Sequence, residues 1–165
     1  MKFRTAMMVS ALTLGLAVPV SAQQAMTPAD VAKIEKEVGA AAQDYIHAMS
    51  SLDTQQVVKL FSNPTVYTGP KGSTARTLDE IKTMYDDIFR DLKKTPYDHS
   101  EFRNTKICVI GPNSAMISGG FVRVAKDGSL MMDGTTVYLF TRAEGGWKIV
   151  ANLGTPKLNK AVDCG

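Results

Sequence analysis

From Thr27 to Leu92 apolar residues recur every three or four positions, and after Pro96 they recur every second one. The first period is that of a helix buried along one side, the second that of a strand. The helical half opens on "TPAD", where Thr27 is a natural N-cap and Pro28 sits where a first turn tolerates it. Val31, Ile34, Val38, Ala41, Tyr45 and Met49 then form one stripe along a helix of about six turns, with Lys33, Glu37 and Gln43 on its other side. Ser50 and Ser51 interrupt it. The segment "LDTQQVVKLFS" predicts a short second helix capped by Asp53, with Val57, Leu60 and Phe61 turned inward. Pro and Gly then punctuate a brief β-prone "TVYT". A third helix starts at Thr77, which forms a capping box with Glu80, and its apolar face runs from Leu78 through Ile81, Tyr85 and Phe89 to Leu92.

The alternating half predicts strands at about 101–110, 115–125, 134–142 and 147–153, joined by "GPN", "KDG" and "EGG". Connections this short join antiparallel neighbours, so this half reads as a meander. The stretch "SLMMDG" either extends the second hairpin with a bulge at Gly134 or forms a wide loop. Three helices followed by such strands make an α+β fold, with the N-terminal helices packed on an antiparallel sheet. Gly119 and Gly120 lie in mid-strand, where paired glycines mark a sharp bend, so the sheet is expected to curve strongly, and a curved sheet can enclose a cavity. In "TTVYLFT" both faces are apolar, so the face away from the helices needs a cover of its own, which a second subunit would supply. Strict alternation over "GGWKIVANLG" puts Trp147, Ile149, Ala151 and Leu153 towards the helices and Lys148, Val150 and Asn152 on the other side.

Composition changes the picture at the ends. Lys2 and Arg4 precede an uncharged run that ends in Pro19 and Val20-Ser21-Ala22, the pattern of a cleaved secretory signal peptide. The expected organisation is a signal peptide over 1–22, a short segment over 23–27, one domain over 28–156 and a tail over 157–165, in a protein secreted or exported to the periplasm. The net charge of +3 falls to about +1 without the leader, and no basic run tracks phosphates, so nucleic acid is not an expected partner. Beyond the leader no run is long enough to span a bilayer. The two cysteines, Cys108 and Cys164, suit a bridge in an oxidising compartment, worth roughly 4 kcal/mol by loop closure, although Cys108 in "KICVIG" reads equally as a small buried hydrophobe. Two cysteines and two histidines show no ligand spacing, so no metal or other cofactor is expected. The "GPKGST" loop lacks the spacing of a phosphate-binding loop.

The order of three helices with a brief strand before the third, the segment "LDTQQVVKLFSNPTVYTGPKG" and the terminal "GGWKIVANLG" resemble the SnoaL-like branch of the nuclear transport factor 2 superfamily, over about residues 29–156. That resemblance implies a cystatin-like α+β cone whose helices plug the open mouth of the sheet. It also implies homodimers paired through the sheet, and a cone that holds a small hydrophobic ligand or an active site. Enzymes of the superfamily usually place an Asp or His in the cone, and this chain departs from that: Asn152 stands where some relatives carry Asp.

Candidate chemistry follows from these placements. Tyr45, Tyr67, Tyr85, Phe89, Met116 and Tyr138 either line an amphipathic pocket or are plain core. Arg123 shares a face with Gly119 and Phe121, and either points into the cavity as an anchor for an anion or is exposed. Asn152 is a candidate hydrogen-bond donor to a carbonyl or a solvated or subunit-facing side chain. His47, lying off the helical stripe, the adjacent Asp98 and His99, and Asp133 read as surface or turn residues. Three functions remain. The first is binding of a small hydrophobic or amphipathic molecule in the cone. The second is a cofactor-free isomerase, dehydratase or cyclase of the ketosteroid isomerase-like type. The third is a dimeric assembly or protein-interaction module.

Overall fold

The computed structural model describes residues 25–69, 72–155 and 162. The expected signal peptide and most of the expected C-terminal tail, Cys164 included, lie outside the described residues. Three helices, α1 (Pro28–Ser50), α2 (Thr54–Lys59) and α3 (Leu78–Leu92), precede four long strands, β3 (Tyr97–Gly111), β4 (Ser114–Ala125), β5 (Leu130–Ala143) and β6 (Gly146–Thr155). Two more strands, β1 (Phe61–Thr68) and β2 (Thr74–Ala75), lie between α2 and α3. All six form one sheet in the order β2-β1-β6-β5-β4-β3. The architecture is α+β, and every described pair is antiparallel except one.

The exception corrects the expectation of a purely antiparallel sheet. β1 is eight residues long and runs parallel to β6. Its parallel partner is reached only after α3 and the whole meander, the long crossover that parallel pairing requires.

Local chemistry sets the helix ends. Thr27 and Asp30, and again Thr77 and Glu80, each accept the other's backbone N–H, and the Asp53 carboxylate accepts from Gln56 N. These bonds satisfy donors that a helix start leaves open. Ile34, Val38 and Met49 of α1 and Ile81 and Phe89 of α3 then pack on Ile117, Phe121, Phe140 and Ile149 of the sheet. α1 is fastened to the last hairpin by a polar latch. Trp147 Nε1 donates to Glu37 Oε2 at 3.0 Å, Arg142 donates to the same oxygen at 2.6 Å, and the Arg142 guanidinium lies 4.6 Å from the Trp147 ring centroid. None of the described helices is long and apolar enough to cross a membrane.

Three irregularities shape the sheet. β3 bulges between Arg103 and Lys106, with Asn104 at φ 50°, and folds Thr105 over β4. A Cβ on Gly119 would sit 2.8 Å from Thr105 Cα, so this close approach requires glycine. The "SLMMDG" stretch is strand: β5 starts at Leu130, and its register shifts opposite Arg123 and Val124 rather than at Gly134. Asp133 therefore pairs with Val122 in mid-strand and serves no turn.

The third irregularity reverses an expectation. Phe140 faces Ile149 but Leu139 faces Ala151, so Val150 is an extra residue in β6 and the alternation inverts beyond it. Trp147 and Ile149 face the helices as the pattern predicts. Asn152 joins them, 2 % exposed, while Leu153 turns to the opposite face and is 41 % exposed.

Candidate functional site

The inner face of the sheet can be read in rows across the strands. Tyr67 of β1, Asn152 of β6, Tyr138 of β5 and Ile117 of β4 stand in register. The next inward row is Gly154, Thr136 and Gly119, the next pairs Gly134 with Phe121, and the next pairs Met132 with Arg123. Between the tyrosine row and the arginine row, the inward positions of β4, β5 and β6 thus carry three glycines, a threonine and one large side chain, Phe121. Side chains too small to fill that span leave a hollow of about 490 Å³, closed from the helix side by Tyr45 and Met49 of α1 and Tyr85 and Ile88 of α3. A volume of this size suits a small organic molecule.

One end of the hollow is a cluster of phenols. The Tyr45 and Tyr85 hydroxyls are 2.8 Å apart, and the Tyr45 and Tyr138 rings are 5.2 Å apart. Burial pushes the phenols of Tyr45, Tyr85 and Tyr138 well above their ordinary range, and neighbouring tyrosines add to the rise. Burial also raises Tyr67, opposed by the positive charge of Arg123. At neutral pH all four are uncharged hydroxyls that donate or accept hydrogen bonds and do not act as bases.

At the other end Arg123 is the only charged residue among the described residues lining the hollow. Its guanidinium lies 5.9 Å from the Phe121 ring centroid, and its Nε is buried with no hydrogen-bond partner. Thr136 Oγ1 is likewise buried and unpartnered. No described lining residue is a carboxylate or an imidazole. Among the described residues, no group of three or more His, Cys, Asp and Glu is placed to hold a metal ion.

Six of the residues singled out from the sequence thus converge: Tyr45, Tyr67, Tyr85, Arg123, Tyr138 and Asn152. Phe89 does not reach the hollow. It packs behind Tyr85, ring centroids 5.6 Å apart, in the core. Met116 pairs with Cys108 and Leu139 on the opposite face of the sheet. Its parity with Ser118 rather than Ile117 is the signal that separates it from Arg123. Thr136 also lines the hollow, and its parity with Tyr138 is the sequence signal for it, whereas Ser73 and Met131 reach the hollow from positions that no pattern marks. His47 is exposed on α1. Asp98 and His99 are hydrogen-bonded to each other at 2.7 Å within β3, with His99 beside Val124 on the outer face.

The model of the family described as NTF2-like protein (DUF6841) matches residues 36–157, from the third turn of α1 past the end of β6. The chain belongs to this NTF2-like family. Among solved structures, an NTF2-like protein with a cystatin-like fold from Novosphingobium aromaticivorans superposes with a TM-score of 0.68 at 16 % identity, covering 79 % of this chain and 86 % of the other. A candidate dehydratase of the NTF2-like family from Streptomyces avermitilis gives 0.64 at 18 %, covering 78 % and 99 %. A candidate calcium/calmodulin-dependent protein kinase II association domain from Xanthomonas campestris gives 0.64 at 14 %, covering 87 % and 100 %. At these identities the likeness is one of fold. No curated protein matches the chain.

Proposed function

We propose that this NTF2-like chain is a SnoaL-like binding domain that holds a small, mostly apolar molecule in the hollow between the sheet and helices α1 and α3. The observation that carries the reading is the hollow itself. It is floored by Gly154, Thr136 and Gly134 instead of side chains that would fill it, and two buried polar atoms, Arg123 Nε and Thr136 Oγ1, have no hydrogen-bond partner among the described residues. A domain serving only as a scaffold gains stability by filling such a space. Binding is favoured over catalysis because the described lining has no group poised to move a proton at neutral pH. The pattern of the N-terminus supports export as part of the same proposal. Val66 and Leu153, exposed on the outer face of neighbouring strands, support pairing of two copies through the sheet.

Thermal-shift measurements on the purified chain against steroids, phenols and fatty acids test the reading. A true ligand at a hundredfold excess over its Kd stabilises by about 2.7 kcal/mol, and a cavity-filling Thr136→Phe variant loses that shift while keeping the fold. If no compound shifts the wild type and none is extracted from protein purified from its native source, the hollow is not a binding site.

A further inference from the structure

Arg123 sets a requirement that an apolar ligand alone does not meet. Its backbone is fixed in mid-sheet, between Ser100 of β3 and Met132 of β5, and the side chain projects towards the helices from the same face as Phe121. No described carboxylate is paired with it, although three of the other four described arginines hold one: Arg90 holds Asp87, Arg103 holds Glu101 and Arg142 holds Glu37. A guanidinium is always charged, and its planar fork of N–H donors matches the two oxygens of a carboxylate. Here one of those donors, Nε, is buried and unpartnered. Around it the lining is apolar, with Phe121, Met131 and Met132 close by in the sheet and Met49 and Ile88 on the helices. A charge in such surroundings attracts an anion more strongly than it would in water.

The opposite end has a different character. Tyr138 and Arg123 belong to rows six residues apart along β5, up to about 20 Å in a flat strand and less in a curved one. At the tyrosine end Asn152 and the phenols offer neutral donors and acceptors. Resting on the binding reading above, we infer that the ligand is an amphipathic monoanion, an apolar body ending in a carboxylate that pairs with Arg123, with a neutral oxygen directed to the tyrosines and Asn152. The charge of Arg123 reaches that far: it opposes the upward shift of both Tyr67 and Tyr85.

The test uses two pairs of probes matched in shape and different in charge, titrated by calorimetry into the wild-type chain and into Arg123→Gln. The pairs are 6-hydroxy-2-naphthoate with 6-hydroxy-2-naphthamide, and decanoate with decanamide. At least one carboxylate is expected to bind the wild type tenfold or more tightly than its amide, and Arg123→Gln is expected to erase that difference while leaving the amide's affinity within about twofold. Arg123→Lys should retain part of the preference, which separates loss of charge from loss of folding, and the melting temperature of each variant checks the latter. If the amides bind as well as the acids, or the preference survives in Arg123→Gln, the anionic ligand is refuted while the apolar binding site stands. If no probe of either charge binds, both readings fall.

Discussion

At the residue scale, the hollow concentrates the polar groups that the core would otherwise exclude. Thr136 Oγ1 is buried without a partner, and such a group costs about 1–3 kcal/mol to leave unsatisfied. Thr136→Val is therefore expected to stabilise the unliganded chain by about 1 kcal/mol in urea denaturation and to weaken ligand binding. Tyr85→Phe does the reverse: it removes the hydrogen bond that the Tyr45 hydroxyl makes with Tyr85 at 2.8 Å, and should cost about 1 kcal/mol. The phenols also set an alkaline limit. The pKa values of Tyr45, Tyr85 and Tyr138 are raised in the folded state, so the folded chain keeps protons that the unfolded chain has released. Their contribution is complete below the ordinary phenol value and is lost as pH climbs past it towards the folded values. Stability measured against pH should fall from about pH 10, and less steeply in a Tyr138→Phe variant. Arg123 and the tyrosines are legible as candidates because their residue types carry the chemistry. Their convergence is not, because it depends on rows assembled from β1, β4, β5 and β6.

At the scale of elements, the bends and bulges decide what faces the hollow. Gly119 and Gly120 look equivalent in sequence, yet they are not interchangeable. A Cβ on Gly119 would meet Thr105 Cα and Cγ2 at 2.8 Å, whereas on Gly120 the nearest atom is Arg103 O at 3.2 Å. Gly119→Ala should destabilise by about 1–3 kcal/mol through forced displacement of β3, and more than Gly120→Ala, as equilibrium denaturation of the two variants would show. The latch of Glu37 with Trp147 and Arg142 has a pH signature as well. The Trp147 N–H, then Arg142, holds the Glu37 carboxyl below its ordinary value. Its contribution is present above the unfolded value and disappears as pH falls through the folded one, so Glu37→Gln should flatten the acid side of the melting temperature profile. The glycine pair is visible in the sequence as a bend. The extra residue Val150 is not, because a bulge is defined by its partner strand, and the register of β6 on β5 is what turns Asn152 inward.

For the molecule as a whole, the helices and the sheet enclose the hollow, while the outer face is covered in part: Ser118 and Val122 are buried there and the Ser118 hydroxyl donates to the Val162 carbonyl, whereas Val66 and Leu153 on β1 and β6 are exposed. Cys108 is buried on that outer face, in register with Met116, and the proposed bridge to Cys164 predicts a gain of about two daltons on reduction. An unchanged intact mass would remove the bridge. Pairing of two copies through the sheet predicts that Leu153→Glu, at an exposed position of β6, shifts the mass measured by light scattering from dimer to monomer.

Much of this protein was decided within short stretches of chain. Thr27 with Asp30, Asp53 with Gln56 and Thr77 with Glu80 start the helices wherever they stand. The hairpin turns and the change of period after Pro96 then place helices before an antiparallel meander. These are local because each rests on atoms a few residues apart. The parallel seat of β1 on β6, the inversion at Val150 and the glycine-floored hollow belong to the tertiary structure alone, since each joins residues that only the closed sheet brings opposite one another.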